Sequence, residues 1–493
     1  MQNQTMFQFF HWFYPLESSL WKHAASEAER LAELGISAVW LPSACKGNDG
    51  EKSMGYDIYD LYDLGEFDQK GSVNTRFGSK EEYVQAIRRF HDCGIQVYAD
   101  IVLNHKAGGD ELEEITVHKV NPENRKEVIS DPYQIKAYTK FFFPGRKDQY
   151  SAFKWDFHCF SGVDWDAERE EKGVFKILNE YGADWEELLG DEKGNFDYLM
   201  FADTEFRNPA VREELIRWGL WYVQQTEVDG FRLDAVKHMT PSFFQEWLTA
   251  LREKTNKELF AVGEYASTIE WLEKFQEITQ GCMSLFDFPL HHRLGRAATR
   301  RKRYDLRHLL NKTFTEVDPV HSVTFVDNHD TQAYREETSE VKRWFRPHAY
   351  ALILLRESGY PCVFYPDLYG YTHYQKREDG RSRKINIKPC PHLETLLFAR
   401  RRYAYGAQHD FFSRPDVIGW TREGEDDMPE SGCAVLFCNG DETSLDMTMG
   451  ERHANRNFRE LTGSYEHQIT LDDSGKAVFP VRGKSIAVWV PTS

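Results

Sequence analysis

The sequence has few cysteines, and their spacing matches no metal-binding or redox motif. Eight cysteines occur among 493 residues, with no CxxC pair, and several of them lie in or beside apolar runs. A disulfide framework is uncommon in a chain this long with so few cysteines. We therefore expect buried free thiols rather than disulfide bonds or a cysteine metal site.

The sequence also lacks a long apolar run and an excess of positive charge. No stretch of 18 apolar residues occurs, and the N-terminal residues show no basic region followed by an apolar one. This pattern predicts no membrane partner and a cytoplasmic location, or a secreted one if a signal peptide has been removed. The net charge of -18 argues against nucleic acid as a partner, because its phosphates would be repelled. The oligomeric state cannot be inferred from the sequence.

Strand-like and helical segments alternate along most of the chain. Apolar strand patterns are followed by amphipathic helices, some of which end at a glycine, as at Gly35 and Gly94. About eight such repeats, the number that closes a (β/α)8 TIM barrel, predict an α/β fold of this class. An open, doubly wound sheet is the second interpretation, but no glycine-rich phosphate loop follows the first strand. The predicted strands are Thr5–Phe10, Ala38–Leu41, Gln96–Leu103, Gly230–Asp234, Leu259–Gly263, Ser284–Phe288, Ser322–Val326 and Pro361–Phe364, with a helix at Asp305–Phe314.

Two regions depart from this alternation and predict further domains. Residues 106–206 are polar, aromatic-rich and irregular, and a bare loop of this length is implausible, so we expect a domain inserted after the third strand. From about Tyr405 the pattern changes to short alternating runs, such as DVIGWT and SIAVWV, which favour a C-terminal antiparallel β-sandwich. The predicted domains are a barrel of residues 1–105 and 207–398, an insert of residues 106–206, and a sandwich of residues 399–493.

Ionisable and amide side chains follow four of the predicted strands, and the carboxyl ends of barrel strands meet on one face. Alternation along a strand places Arg232 and Asp234 on the same side, where the cation would lower the pKa of the carboxylate. Any one of these residues could instead be a hydrogen-bonded structural group or part of an ion pair. Paired carboxylates suit glycoside hydrolysis, in which one attacks the anomeric carbon and another protonates the leaving oxygen. The residues are Asn104, His105, Arg232, Asp234, Lys237, His238, Glu264, Asp327, Asn328, His329 and Asp330.

Four segments carry a resemblance to a known family. DIVLNH at 100–105, GFRLDAVKH at 230–238, Glu264 in AVGEY and FVDNHD at 325–330 resemble the signature segments of the α-amylase family, glycoside hydrolase family 13. The resemblance extends along the whole chain, including FKWDFHCFSG and RESGYPCVFY, and is strongest to bacterial liquefying and cytoplasmic members. It implies a barrel, a domain inserted after the third strand and a C-terminal β-sandwich, which agrees with the boundaries above.

The resemblance also implies roles for individual residues. Asp234 would be the nucleophile, Glu264 the acid/base, and Asp330 a third carboxylate that binds sugar hydroxyls and helps distort the ring. Arg232 would keep Asp234 ionised. The resemblance further implies substrate contacts by His105 and His329 at the cleavage site, by Tyr56 stacked under the same ring, and by Lys237 and His238 on the leaving side. For Tyr56, plain core packing is the alternative.

One calcium ion is the cofactor that the resemblance implies. Its ligands would be Asn104, Asp197, Asp203 and the main-chain carbonyl of His238, in keeping with the preference of calcium for oxygen donors. The alternative is that the two aspartates are solvated or cap helices. The secreted relatives carry an extended calcium and sodium cluster, but this chain has Ser161 and Arg207 at two of its aspartate positions. We therefore predict the primary site alone, with an Arg207 salt bridge near Asp184 instead of the cluster.

The function implied is that of an endo-acting α-amylase. Such an enzyme hydrolyses internal α-1,4-glucosidic bonds of starch, glycogen and maltodextrins, with retention through a covalent glycosyl–enzyme intermediate. The alternatives are a transglycosylase or maltooligosaccharide hydrolase of the same family, and a non-catalytic glucan-binding homologue. Ala266 stands where close relatives carry Trp, which predicts weaker stacking on the acceptor side.

Overall fold

Eight short strands form a closed barrel in this computed structural model, which describes residues 3–16, 18–335, 338–376 and 381–492. Around the barrel the strands follow the order first, eighth, seventh, sixth, fifth, fourth, third and second. Most of their residues are buried and apolar, as expected of parallel strands covered on both faces. The predicted TIM barrel is confirmed. The strands are Met6–Gln8, Ala38–Leu41, Gln96–Ile101, Gly230–Leu233, Phe260–Gly263, Ser284–Phe286, Ser322–Phe325 and Tyr360–Phe364.

The helices between the strands begin where the sequence supplies caps. Ser79 and Glu82 form a capping box at Lys80–Asp92, and proline occupies the first turn of Pro209–Thr226 and Pro241–Thr255. The remaining α-helices of the described residues are Leu20–Glu33, Ile269–Thr279, Phe288–Arg300, Phe314–Val317, Arg346–Leu355, Tyr365–Tyr369 and Leu393–Arg402.

The helix predicted at Asp305–Phe314 is wrong. The structure has a short 3-10 turn at Leu306–His308, and the long helix of this region is Phe288–Arg300. The Asp287 side chain accepts a hydrogen bond from Leu290 N, so it caps this helix and ends the sixth strand at Phe286, two residues earlier than predicted.

A mostly antiparallel sheet follows the third barrel strand. Val120 and Val174 of its strands form a small buried apolar cluster with Trp185 and Tyr198. The strand Ala202–Thr204 pairs with His105–Lys106, directly after the third barrel strand. The other strands of this sheet are Glu111–Asn121, Asn124–Val128, Tyr133–Lys140, Phe160–Asp166 and Glu171–Ile177.

The C-terminal residues form antiparallel β-structure around a second apolar core that includes Trp489 and Phe479. Before it, Tyr371–Lys376 and Ser382–Ile387 pair as a two-stranded sheet that the sequence pattern did not predict. The C-terminal strands are Gln408–Phe411, Val417–Arg422, Cys433–Cys438, Thr443–Thr448, Asn457–Glu460, Ile469–Thr470, Lys476–Val481 and Ile486–Pro491.

The chain folds into two compact units. One comprises Met1–Phe13, Arg30–Ala38 and Phe286–Ser493, and the other comprises Tyr14–Glu29 and Val39–Leu285. The three predicted domains follow other boundaries and stay a prediction. All eight cysteines are free thiols, and six of them are buried as expected, whereas Cys93 and Cys282 are only partly buried. No helix in the described part of the chain is both long enough and apolar enough to span a membrane.

Candidate active site

Arg232 in the fourth barrel strand contacts three carboxylates. Its side chain is 1% exposed. Its Nη1 donates to Asp100 Oδ1 at 2.9 Å and to Asp234 Oδ1 at 2.6 Å, and its Nη2 donates to Glu264 Oε2 at 2.7 Å. One guanidinium group therefore brings together carboxylates from the third strand and from the ends of the fourth and fifth.

The hydrogen bonding of these parallel strands positions the two outer carboxylates. The main-chain N–H groups of Asp234 and Glu264 each donate to a carbonyl of a neighbouring strand at 2.9 Å, so the ladder continues past the strand ends. Ala235 then turns the chain with a φ of 50°, and its N–H donates to Glu264 Oε2 at 3.2 Å. The expectation that Arg232 and Asp234 lie on the same side is confirmed by their contact.

Burial and charge act in opposite directions within this group. Burial raises the pKa of the Asp100 carboxyl, and the Arg232 guanidinium lowers it. Burial alone would lower the pKa of Arg232, but the surrounding carboxylates raise it well above its usual value. Arg232 therefore stays positively charged. The side chains of Asp234 and Glu264 are 12% and 18% exposed, so both can meet a ligand, whereas Asp100 is fully buried.

Asp100 is the residue of this group that sequence reasoning missed. Its Oδ2 accepts hydrogen bonds from Trp40 Nε1 at 3.0 Å and from Tyr56 Oη at 2.9 Å, while its Oδ1 binds Arg232. A carboxylate inside an otherwise apolar strand was the available signal, because a buried charge requires partners.

Tyr56 and His105 contact each other next to Asp100. His105 Nε2 donates to the Tyr56 carbonyl at 2.7 Å, and the ring packs 5.5 Å from the Phe201 ring. Burial lowers the pKa of His105 to about 4, so the imidazole is neutral at neutral pH. The predicted donation by His105 to a sugar hydroxyl and the predicted stacking of Tyr56 stay predictions.

Lys237 and His238 both contact Phe196, in the segment before the strand Ala202–Thr204. His238 Nδ1 donates to the Phe196 carbonyl, and Lys237 Nζ lies 4.8 Å from the centre of the Phe196 ring. Lys237 Nζ also donates to the Ala266 carbonyl at 3.5 Å, just after Glu264. The turn after the fourth strand is thereby fixed to two other segments, and substrate contact by either residue stays a prediction.

His329 and Asp330 follow the seventh strand. They belong to the compact unit that includes Phe286–Ser493, whereas Arg232 belongs to the unit that includes Val39–Leu285. Gln8 Nε2 donates to His329 Nδ1 at 3.1 Å, which places the ring proton on Nε2, 3.2 Å from Asp330 Oδ2. The Asn328 side chain accepts from Asp330 N and Thr331 N, each at 2.9 Å, and so shapes the turn. These contacts with His329 and Asn328 hold Asp330 in place, and its side chain is 41% exposed.

Three of the predicted calcium ligands lie close together and are buried. Asn104 Nδ2 donates to Asp203 Oδ1 at 3.1 Å, and Ser161 Oγ donates to Asp203 Oδ2 at 2.6 Å. Glu186 N donates to Asp197 Oδ2 at 3.1 Å. Within the described residues, Asn104 Oδ1 and Asp197 Oδ1 are buried and accept no hydrogen bond. Two such oxygens beside a second buried carboxylate fit a hard cation such as calcium.

The pKa values of Asp197 and Asp203 also favour a bound cation. Burial raises the pKa of Asp197 to about 7, and burial together with Asp197 raises the pKa of Asp203 well above its usual value. A bound cation would stabilise both as carboxylates. Among the described residues no group of three or more His, Cys, Asp and Glu could hold a metal ion, so the predicted site depends on an amide and a main-chain carbonyl as well.

The predicted salt bridge of Arg207 is present. Arg207 Nη2 and Nε bind the two oxygens of Glu205, each at 2.7 Å, and Arg207 Nη1 donates to the Asp184 carbonyl at 3.1 Å. The Glu205 side chain is fully buried, so the guanidinium supplies the positive charge that it needs. The absence of an extended metal cluster stays a prediction.

Comparison with known proteins identifies the family of this chain. The model of the alpha-amylase catalytic domain matches residues 24–390. The chain belongs to the alpha-amylase family. The alpha-amylase of Geobacillus stearothermophilus is 47% identical over 490 residues, 99% of this chain and 87% of the relative. The cytoplasmic alpha-amylase of Escherichia coli K12 is 43% identical over 99% of both chains, and the glucan 1,4-alpha-maltohexaosidase of a Bacillus species is 41% identical over 99% of this chain and 92% of the relative.

Solved structures agree with this family at the level of the fold. The alpha-amylase of Geobacillus thermoleovorans, complexed with acarbose, has a TM-score of 0.63 at 17% identity and covers 100% of this chain and 98% of its own. An Anoxybacillus alpha-amylase has a TM-score of 0.64 at 16% identity, with the same coverage. At such identities the likeness supports the barrel alone.

Proposed function

We propose that this alpha-amylase family enzyme hydrolyses internal α-1,4-glucosidic bonds of starch, glycogen and maltodextrins. The observation that carries the proposal is the pair of partly exposed carboxylates, Asp234 and Glu264, on the guanidinium of Arg232. Retaining glycosidases need two carboxyl groups only about 5–5.5 Å apart, and a shared guanidinium favours such a short spacing. We further propose a cytoplasmic location, as the name of the Escherichia coli relative states for that protein.

In the proposed mechanism, Asp234 attacks the anomeric carbon while Glu264 gives its proton to the leaving oxygen. The resulting glycosyl ester on Asp234 is hydrolysed by a water molecule that Glu264, now a carboxylate, deprotonates. Arg232 contacts both carboxyl groups, so its charge favours ionisation of either one. The mechanism requires that charge to stabilise Asp234 as the ionised nucleophile, whose negative charge in turn favours the protonated form of Glu264. Asp100 accepts a hydrogen bond from Arg232 and so fixes the position of the guanidinium group. The second oxygen of Asp100 accepts hydrogen bonds from Trp40 and Tyr56. Asp330 binds hydroxyl groups of the sugar at the cleavage site.

We propose one calcium ion held by Asn104, Asp197, Asp203 and the His238 carbonyl. The ion would supply positive charge to the buried carboxylates and link the segments that carry these residues. The unpartnered oxygens of Asn104 and Asp197 support it. Arg207 supports the proposal that no extended cluster is needed, because it already neutralises Glu205.

Hydrolysis of a blocked maltoheptaose tests the function. We expect mid-chain products from the wild type, and a loss of at least about 1,000-fold in kcat for Glu264→Gln without loss of folding. The exposed Glu253→Gln is the matched control and should keep full activity. A chelator should reduce the activity of the wild type, and added calcium should restore it. A wild type that binds but cleaves no α-1,4 glucan would contradict the proposal.

A maltooligosaccharide-releasing or transglycosylating enzyme is the second candidate. The maltohexaosidase among the relatives favours it, since its name describes release of one product length. Product analysis separates the candidates. A mixture of lengths supports the endo-acting enzyme, a dominant single length supports an oligosaccharide-releasing one, and products longer than the substrate support transfer.

A further inference from the structure

Arg335 lies beside Asp330 but has no role in the site described above. It belongs to the segment after the seventh barrel strand. Its Nη2 donates to Asp330 Oδ1 at 3.3 Å, and its guanidinium carbon is 3.6 Å from the centre of the Trp12 ring. The carboxylate and the aromatic face thus hold the same guanidinium group from two sides.

The ring beneath Arg335 is itself fixed. Trp12 lies stacked with His329 at 6.5 Å and 15°, and its main-chain N–H donates to Gln332 Oε1 at 3.2 Å. His329 packs in turn 5.0 Å from Phe10. A guanidinium on a fixed ring is already ordered, so it loses little side-chain entropy when it binds a ligand.

Arg335 has more donors than the described protein groups use. The guanidinium carries five N–H donors, and among the described residues Arg335 makes one side-chain hydrogen bond, to Asp330. Its side chain is 28% exposed, beside an Asp330 side chain that is 41% exposed. The remaining donors can therefore reach a ligand that occupies the space next to Asp330, and sugar hydroxyls are suitable acceptors.

We propose that Arg335 is a further substrate-binding residue, which orients the Asp330 carboxylate and donates hydrogen bonds to hydroxyl groups of the glucose unit that Asp330 binds. This proposal depends on the proposed function of the same site. Arg383 provides a contrast, since its guanidinium lies 4.7 Å from the Tyr334 ring. Arg383 only stacks on a ring of this segment, whereas Arg335 also contacts Asp330, the residue that we propose binds the substrate.

The test compares Arg335→Gln and Arg335→Lys with Lys342→Gln. Lys342 is 54% exposed and pairs with Glu340, so its substitution removes the same charge without touching Asp330. On blocked maltoheptaose we expect kcat/KM of Arg335→Gln to fall about 10- to 100-fold, the cost of one charge-assisted hydrogen bond. KM should rise through lost binding, and kcat should fall through the misoriented Asp330. Arg335→Lys should recover part of the loss, and Lys342→Gln should match the wild type.

Binding without turnover separates this role from a structural one. In the Glu264→Gln background, calorimetry with maltoheptaose should show weaker binding when Arg335→Gln is added, with an unchanged thermal unfolding temperature. The proposal is overturned if Arg335→Gln keeps the kcat, KM and affinity of its parent, or if its losses equal those of Lys342→Gln. A wild type that cleaves no α-1,4 glucan would instead overturn the proposed function, which the same assay records separately.

Discussion

At the scale of single residues, Arg232 pairs with three carboxylates of the site, and one of them, Asp100, is fully buried. Arg232→Met leaves Asp100 without its cation, and breaking a buried ion pair costs about 3–5 kcal/mol. We expect a lower urea midpoint and a loss of activity of at least about 100-fold. Arg307→Met is the matched control, since Arg307 pairs with Asp305 at the surface, where an ion pair contributes little to stability. Equal losses of stability in the two variants would contradict this prediction.

We expect the residue at position 266 to influence the length of the products rather than the chemical step. It lies two residues after Glu264, and its carbonyl accepts from Lys237 Nζ at 3.5 Å. Ala266→Trp adds an aromatic face on the acceptor side, so we expect a shift in product lengths or in transfer to sugars while hydrolysis continues. Chromatography of maltoheptaose products measures this, with Ala266→Leu as the apolar control. Identical profiles for Ala266→Trp and the wild type would count against it.

The partly exposed carboxylates of the site were predictable from the sequence, whereas the residues that hold them in place were not. Asp234 and Glu264 were predicted because each follows a strand within a recognisable segment. Asp100 was missed because its role depends on Trp40 and Tyr56, which are distant in sequence and meet it only through the barrel. Arg335 was missed for the same reason, since its partner Trp12 lies more than 300 positions away.

At the scale of elements, the predicted calcium ion would join the segment after the third strand, the strand Ala202–Thr204 with the segment before it, and the turn after the fourth strand. A ligand at 100 times its dissociation constant stabilises the folded state by about 2.7 kcal/mol. We expect a chelator to lower the unfolding temperature and to speed proteolysis within residues 178–201. Asp197→Asn should weaken calcium binding in calorimetry, whereas the exposed Asp184→Asn should not. Equal affinities in the two variants would be evidence against the assigned ligands.

The helix Arg346–Leu355 packs on the strand Cys433–Cys438 through a buried histidine. His348 Nε2 donates to the Cys438 carbonyl at 3.1 Å, and its ring stacks on Phe345 at 4.7 Å. Burial lowers the pKa of His348 to about 4, so the unfolded chain binds a proton here between about pH 6.5 and 4 that the folded chain does not. Stability contributed by the neutral ring is therefore present above this window and lost as the pH falls through it.

We expect His348→Gln to remove this acid sensitivity. Relative to the variant, the wild type should lose about 1.4 kcal/mol of unfolding free energy per pH unit between about pH 6.5 and 4. Urea unfolding of both proteins at pH 7.5, 6 and 5 measures the difference. Parallel changes in the two proteins would show that His348 does not titrate in this way.

Local patterns predicted some elements and not others. The barrel strands were predicted because their apolar runs and following helices are contiguous in sequence. The helix Phe288–Arg300 was missed although Asp287 and Pro289 mark its start, because the strand pattern continues through Phe288. The pairing of Glu111–Asn121 with Glu171–Ile177 joins segments about fifty residues apart, which periodicity alone does not reveal.

At the scale of the whole molecule, the number of repeats together with the lack of a glycine-rich phosphate loop favoured a barrel over an open sheet. Eight strand–helix repeats have few closed arrangements, so the number of strands predicted the barrel. Domain boundaries are a finer matter, since the two compact units both contain barrel strands. Changes in composition along the chain predict where the sequence pattern changes. They do not predict which segments pack together.

The pairing of the first barrel strand has a consequence for synthesis. Met6–Gln8 pairs with Cys362–Phe364 in the eighth strand. At about 5–20 residues per second, a ribosome needs roughly 20–70 s to make the intervening chain. During that time the first strand has an unpaired edge toward its missing neighbour, the kind of edge that invites aggregation. Nascent chains stalled before Tyr360 should therefore be engaged by chaperones more than chains released after the eighth strand.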